Sequence, residues 1–161
     1  MTHEQQETPR FYELWERFQG RGVLALQTNS LGDAIEQFQL AGFVAGEHPK
    51  GYLCRAHSLV SQAIVWLMVN ENAPALEVLQ EAMTLREGSI PAEHSLTGEA
   101  MHLMANAYRG LRRFEEADQH YQLAWLCLSK ILHDQHDYLQ LVITNWHLSN
   151  VEWEYAKRRA G

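Results

Sequence analysis

The sequence predicts an all-α chain, a helical-repeat array of three antiparallel helix pairs followed by a C-terminal closing helix. Three observations carry that expectation. Ala, Leu, Glu and Gln supply 66 of the 161 residues, whereas Gly and Pro supply only 14, which favours helix and leaves little punctuation for many short strands. Apolar residues recur at spacings of three and four through about seven segments separated by breakers. A frame of small residues repeats at intervals of 41 and 42 positions.

Each element follows from local chemistry. Thr8 before Pro9 is a capping residue ahead of a proline at the first helical position, and Phe11, Leu14, Trp15, Phe18 and Leu26 keep helical spacing from there to about Thr28. Residues 1–8 are expected to form a flexible tail, and 9–161 a single repeat domain. Asn29 and Ser30 close the first helix, and Ser30 with Asp33 approximates a capping box for a second helix running through Ile35, Phe38, Leu40 and Phe43 to Gly46. Pro49, Lys50 and Gly51 break the chain before a third helix over about 52–69. Asn72 is expected to cap a fourth over 73–86, which ends at Gly88-Ser89-Ile90-Pro91. The fifth covers about 92–109 with Gly110 as its stop, the sixth about 113–132 and the seventh about 138–159.

Composition bounds the function classes. With 46% hydrophobic and 20% charged residues, the chain suits one globule with a sizeable core. No apolar run approaches the ~18 residues that cross a bilayer, and residues 1–10 lack a basic region followed by an apolar stretch, so a cytoplasmic protein without membrane contact is expected. A formal charge of −7, with basic clusters only at Arg112-Arg113 and Lys157-Arg158-Arg159, argues against nucleic-acid binding. Cys54 and Cys127 lie in apolar helical patterns and read as buried thiols.

The repeat frame is Ala34-Phe38-Ala41, Ala75-Leu79-Ala82 and Ala117-Tyr121-Ala124. Twelve residues before each leading Ala stand Gly22, Ala63 and Ala105, each followed three residues on by Ala25, Trp66 or Tyr108. Small residues at fixed places let two helix backbones approach while a large neighbour fills the groove. This pattern resembles the tetratricopeptide repeat. The third unit fills the frame best, with Met101, Met104, Ala105, Tyr108, Phe114, Glu116, Ala117, Tyr121 and Ala124; the first departs from it, with Arg21 in a Leu position and Ala25 in a Tyr position. The period exceeds the family's ~34 residues, as in its long-helix variants. Trp146, Asn150 and Trp153 start a fourth frame on the closing helix.

The resemblance implies a right-handed array and a protein- or peptide-binding adaptor, with the first helix of each pair lining a concave groove. Transferred onto this sequence, the groove would be lined by Val23 and Leu26, by His57, Val60, Ile64, Leu67 and Met68, and by His102, Asn106 and Arg109. Apolar members offer contact area, and Asn106 and Arg109 offer groups for a peptide carbonyl or carboxylate. The competing reading has Val60, Ile64 and Leu67 packing between helices. A secretion-type chaperone holding an apolar export segment is the alternative binding function.

No phosphate loop or nucleophile elbow is present. Cys54 and His57 at i, i+3 lack a third orienting group for a thiol enzyme. His120, His133, His136 and Asp137 are the best metal-ligand candidates, but without a metal-binding motif the residues read more plainly as caps and surface. No cofactor, metal or catalytic residue is therefore expected. His102 and His147 become equivalent if the frame extends by 45 residues, a spacing open to a pH-sensitive pair but read more plainly as two unrelated surface histidines. Trp146, Asn150 and Trp153 form one stripe on the last helix, which either packs onto the sixth helix around Leu123 and Leu126 or joins a second copy in a homodimer.

Overall fold

The computed structural model describes the backbone over residues 3–86 and 94–160, with side chains from residue 10 onward. Seven helices and no strand occur among the described residues: α1 His3–Gln27, α2 Leu31–Gly46, α3 Tyr52–Met68, α4 Asn72–Arg86, α5 Ser95–Gly110, α6 Phe114–Leu128 and α7 Asp137–Ala160. The expected break at 88–91 and the expected start of the fifth helix at Ala92 lie outside the described residues. α1 begins at His3, ahead of Pro9, because the helix-forming run over residues 3–7 continues the helix at the expense of the one backbone bond that Pro9 lacks. α6 ends at Leu128, short of Leu132, and a turn leads into α7.

Consecutive helices pack as pairs, α1 with α2, α3 with α4 and α5 with α6, and α7 closes against α6. α1, α3, α5 and α7 also touch one another in succession, whereas α2, α4 and α6 do not touch one another. The first helices of the pairs therefore form the inner layer of the array and the second helices the outer layer.

The small-residue frame is the core. Ala34, Ala41, Ala63, Ala75, Ala82, Ala105, Ala117 and Ala124 are all fully buried, as are Leu79 and Tyr121, with Phe38 at 1% exposure. Gly22 lies so close to α2 that an added Cβ would stand 2.4 Å from the Phe38 ring. One apolar cluster runs through α3, α4, α5 and α6, with Trp146 of α7 packed at its edge.

The turns inside the pairs repeat as closely as the core. Asn29, Asn70 and Arg112 adopt φ of 56°, 62° and 59°, at intervals of 41 and 42 residues. In each turn the following N–H bonds the carbonyl five residues back: Ser30 to Ala25 at 2.8 Å, Glu71 to Trp66 at 2.8 Å and Arg113 to Tyr108 at 2.9 Å. These are Schellman ends. Ser30 and Arg113 share backbone angles, φ −87° with ψ 71° and φ −90° with ψ 69°.

Three capping expectations change accordingly. Ser30 stands at the N-cap of α2 but makes no side-chain capping bond, its backbone N–H being tied into the turn before it. Asn72 is the first residue of α4 rather than its cap, and its amide donates back to the Asn70 carbonyl at 3.2 Å. Gly110 is still helical; its missing Cβ accommodates Asn72, whose Oδ1 would lie 2.2 Å from it, and the stop falls at Arg112.

Candidate functional site

The inner layer holds two polar networks where apolar spacing alone would suggest a dry seam. Between α1 and α3, Trp15 Nε1 donates to Ser58 Oγ at 2.9 Å, and Ser58 Oγ donates to Gln19 Oε1 at 3.1 Å. The Gln19 amide donates to Ser61 Oγ at 2.7 Å and to His57 Nδ1 at 3.1 Å. Every member has a partner, as burial demands. Burial, with the nearby Arg86 guanidinium, pushes the His57 pKa down, which agrees with an Nδ1 that accepts.

Between α5 and α7, His102 Nε2 faces the Asn145 amide nitrogen at 3.0 Å and that of Asn106 at 3.4 Å, and its Nδ1 lies 3.0 Å from the Tyr138 hydroxyl. Two amide donors at Nε2 make it the acceptor, so the proton sits on Nδ1 and the ring is neutral. Burial pushes the His102 pKa down to about 4 and that of Tyr138 well up. Tyr121 donates to Asn106 Oδ1 at 2.7 Å, and burial lifts its hydroxyl pKa to about 12. One turn on, Arg109 grips Glu152 with two bonds, Nε to Oε2 at 2.8 Å and Nη2 to Oε1 at 2.6 Å. The pair raises the Arg109 pKa and lowers that of Glu152.

Beside these contacts opens a cleft of about 630 Å³ between the C-terminal ends of α3 and α5 and the middle of α7. Asn70, Asn72, Asn106 and Asn145 line it, together with Leu67, Arg109, Arg112, Phe114 and Glu152. Side-chain amides offer both a donor and an acceptor, which matches the backbone of an extended peptide; the arginines match a carboxylate. Arg112 reaches over the Phe114 ring at 5.5 Å.

The structure brings Leu67, Asn106 and Arg109 of the expected groove together in this cleft. Val60 and His102 instead lie in the interior at 3% and 2% exposure, Val60 in the apolar cluster and His102 in its network. Leu26 packs against the cluster of Ala25, Ala34, Phe38 and Val65, and Ile64 is half-buried. His57 is held by Gln19, whereas Val23 and Met68 are exposed away from the cleft lining. Asn70, Asn72, Gly110, Arg112, Phe114, Asn145 and Glu152 line the cleft without belonging to the expected groove. The 41/42 register applied to the turns marks the first two, but nothing in α7 alone places Asn145 and Glu152 opposite α5.

Trp146 turns toward α6 and donates to Asp118 Oδ1 at 2.6 Å, while Leu123 and Leu126 of α6 remain exposed. Asn150 and Trp153 are half-buried, with the Lys157 ammonium 4.8 Å from the Trp153 ring centre. Burial, with Glu16 nearby, pushes the Cys54 thiol up, opposite to what a nucleophilic thiolate requires. His133 and His136 each accept a backbone N–H two residues on, from Gln135 and Tyr138, both at 3.2 Å. His48 and His94 do the same for Lys50 and Leu96; His94 is the N-cap of α5 and His136 directly precedes α7, while His48 and His133 make the same bond within turns. His147 lies exposed on α7. No group of three or more metal-ligating side chains converges among the described residues, and no described helix is long and apolar enough to cross a membrane.

A search of solved structures finds that the TPR domain of Arabidopsis OM64 superposes with a TM-score of 0.63 at 15% identity, covering 85% of this chain and 97% of that one. The fold is that of a tetratricopeptide-repeat domain. The superposition carries the right hand of the array with it, since a mirror-image winding of the same helices would not overlay. No protein-family model matches the chain, and no curated protein does. The period of 41 and 42 residues is accommodated by the helices that lie within it, α2 to α5, of 16, 17, 15 and 16 residues.

Proposed function

We propose that this tetratricopeptide-type array is a binding adaptor that holds an extended peptide segment with an acidic group in the cleft among α3, α5 and α7. The observation that supports it is the lining: four asparagine amides and two arginines around about 630 Å³ on the inner layer. Amides paired along an extended backbone give affinity without reading much sequence, and an arginine selects a carboxylate. Glu152 occupies Arg109 in the absence of ligand, so an incoming carboxylate competes with it.

A displayed peptide library selected on the intact chain supplies ligands, whose affinities are then measured by calorimetry. Asn106→Ala with Arg109→Ala should weaken binding about tenfold or more, roughly 1.4 kcal/mol, with helicity retained. Glu152→Gln should tighten acidic peptides by releasing Arg109. Unchanged affinity in the folded double variant would remove the cleft as the binding site.

A further inference from the structure

The face of α7 turned away from α6 carries a pattern that the peptide cleft does not use. Leu141, Thr144, Leu148, Val151 and Tyr155 follow one another at alternating spacings of three and four, with Asp137 four residues before and Arg158 three residues after. All seven are exposed, Leu141 at 47%, Leu148 at 44%, Val151 at 66% and Tyr155 at 60%. Alternating three-four spacing is the seam of a two-helix coiled coil, since it keeps one stripe facing a partner helix along several turns. The helix contacts within the chain fall on other positions, Leu139, Val142, Trp146 and Ser149 among the buried or packed ones and Asn145 and Glu152 toward α5.

The charges choose the occupant. The seam is acidic at its N-terminal end, at Asp137, mainly apolar in the middle, and basic at its C-terminal end, at Arg158. That sequence of charges is complementary to itself when reversed. We propose that a second copy of this chain docks here, α7 against α7 in antiparallel sense, about a twofold axis at Leu148. Leu141 then lies level with the partner's Tyr155, while Thr144 lies within one residue's rise, ~1.5 Å, of the partner's Val151, and Asp137 within the same rise of the partner's Arg158. Such an isologous contact closes as a dimer and cannot propagate. A hollow of about 450 Å³ beside the seam, lined by Val151, Tyr155 and Arg158 with His147, Asn150 and Glu154, leaves room for side chains of the partner. The ends of α7 also complement its own helix dipole. The charge swap below separates that role from pairing, because the dipole prefers the native arrangement in either copy.

Sedimentation equilibrium of the intact chain should give a mass near twice 18.6 kDa at micromolar concentration. Leu148→Glu sets two carboxylates together on the axis and should return the mass to that of a monomer. Asp137→Arg and Arg158→Asp should each raise the dimer dissociation constant about tenfold or more, and the two together should restore it. Circular dichroism of each variant checks that the helices persist. A wild-type monomer at ~100 µM, a Leu148→Glu dimer, or a double charge variant as weak as its parents overturns the proposal. None of these results bears on peptide affinity in the cleft, so the two proposals fail separately.

Discussion

Gly22 and Phe38 share a volume that one more carbon would overfill. The first repeat departs from its companions at this point, with glycine where they have Ala63 and Ala105, and a ring where the second has Leu79. With an added Cβ 2.4 Å from a ring that is itself 1% exposed, Gly22→Ala should cost about 1–3 kcal/mol in a thermal melt. Phe38→Leu in the same chain should recover part of that loss. Ala105→Leu and Ala117→Leu face the same constraint at fully buried sites of the third repeat and should each destabilise by about 1–3 kcal/mol, with unchanged melting disproving the close approach. These positions were legible in the sequence because close backbone approach restricts side-chain size directly. The partners of polar groups were not. Arg109 meets Glu152 across 43 residues and His102 meets Tyr138 across 36, and those distances depend on how α7 docks, which no local spacing records.

At the scale of elements, the number, order and rough limits of the helices followed from breakers and apolar period, while the stops followed from a conformation the composition conceals. Glycine is the usual residue at a left-handed helix end, yet Gly110 is helical and the left-handed positions hold Asn29, Asn70 and Arg112. Asparagine tolerates that region through its short polar side chain; arginine bears the full Cβ penalty. Arg112→Gly should therefore raise stability by about 0.5–1 kcal/mol, net of the entropy that glycine adds to the unfolded chain. Arg112→Asn, which reproduces the other two turns, should also stabilise. Denaturant midpoints measure both, and a loss in both variants would show that the Arg112 contact over the Phe114 ring, at 5.5 Å, outweighs the strain. Because Arg112 also lines the cleft, the same variants report on peptide affinity independently of stability.

Across the whole molecule, each helix depends on its neighbours, and α7 touches only α5 and α6. A repeat array of this kind opens from its ends, so the free energy of docking the last helix sets how far fraying extends. Part of that docking rests on neutral His102, whose Nε2 accepts from Asn145 of α7. Its folded pKa of about 4 lies below the unfolded value of 6.5, so the unfolded chain binds the proton more readily between those values. The stability contributed by the neutral ring is thus complete above about pH 6.5, declines as pH falls, and amounts to a loss of about 2 kcal/mol by pH 5. His57, whose pKa is also lowered, adds a loss of the same sign at the α1–α3 contact. His102→Gln removes the titration while keeping an amide oxygen to accept from Asn145, and should flatten the fall in melting temperature between pH 7 and 5. Hydrogen exchange localises the effect. Protection factors corrected for intrinsic rates should drop first along α7 in the wild type, before those of α3 and α4, and the variant should lose this order. A uniform drop through all helices would mean that protonation of His102 unfolds the array as one unit, and that the α5–α7 contact is not where the acid acts.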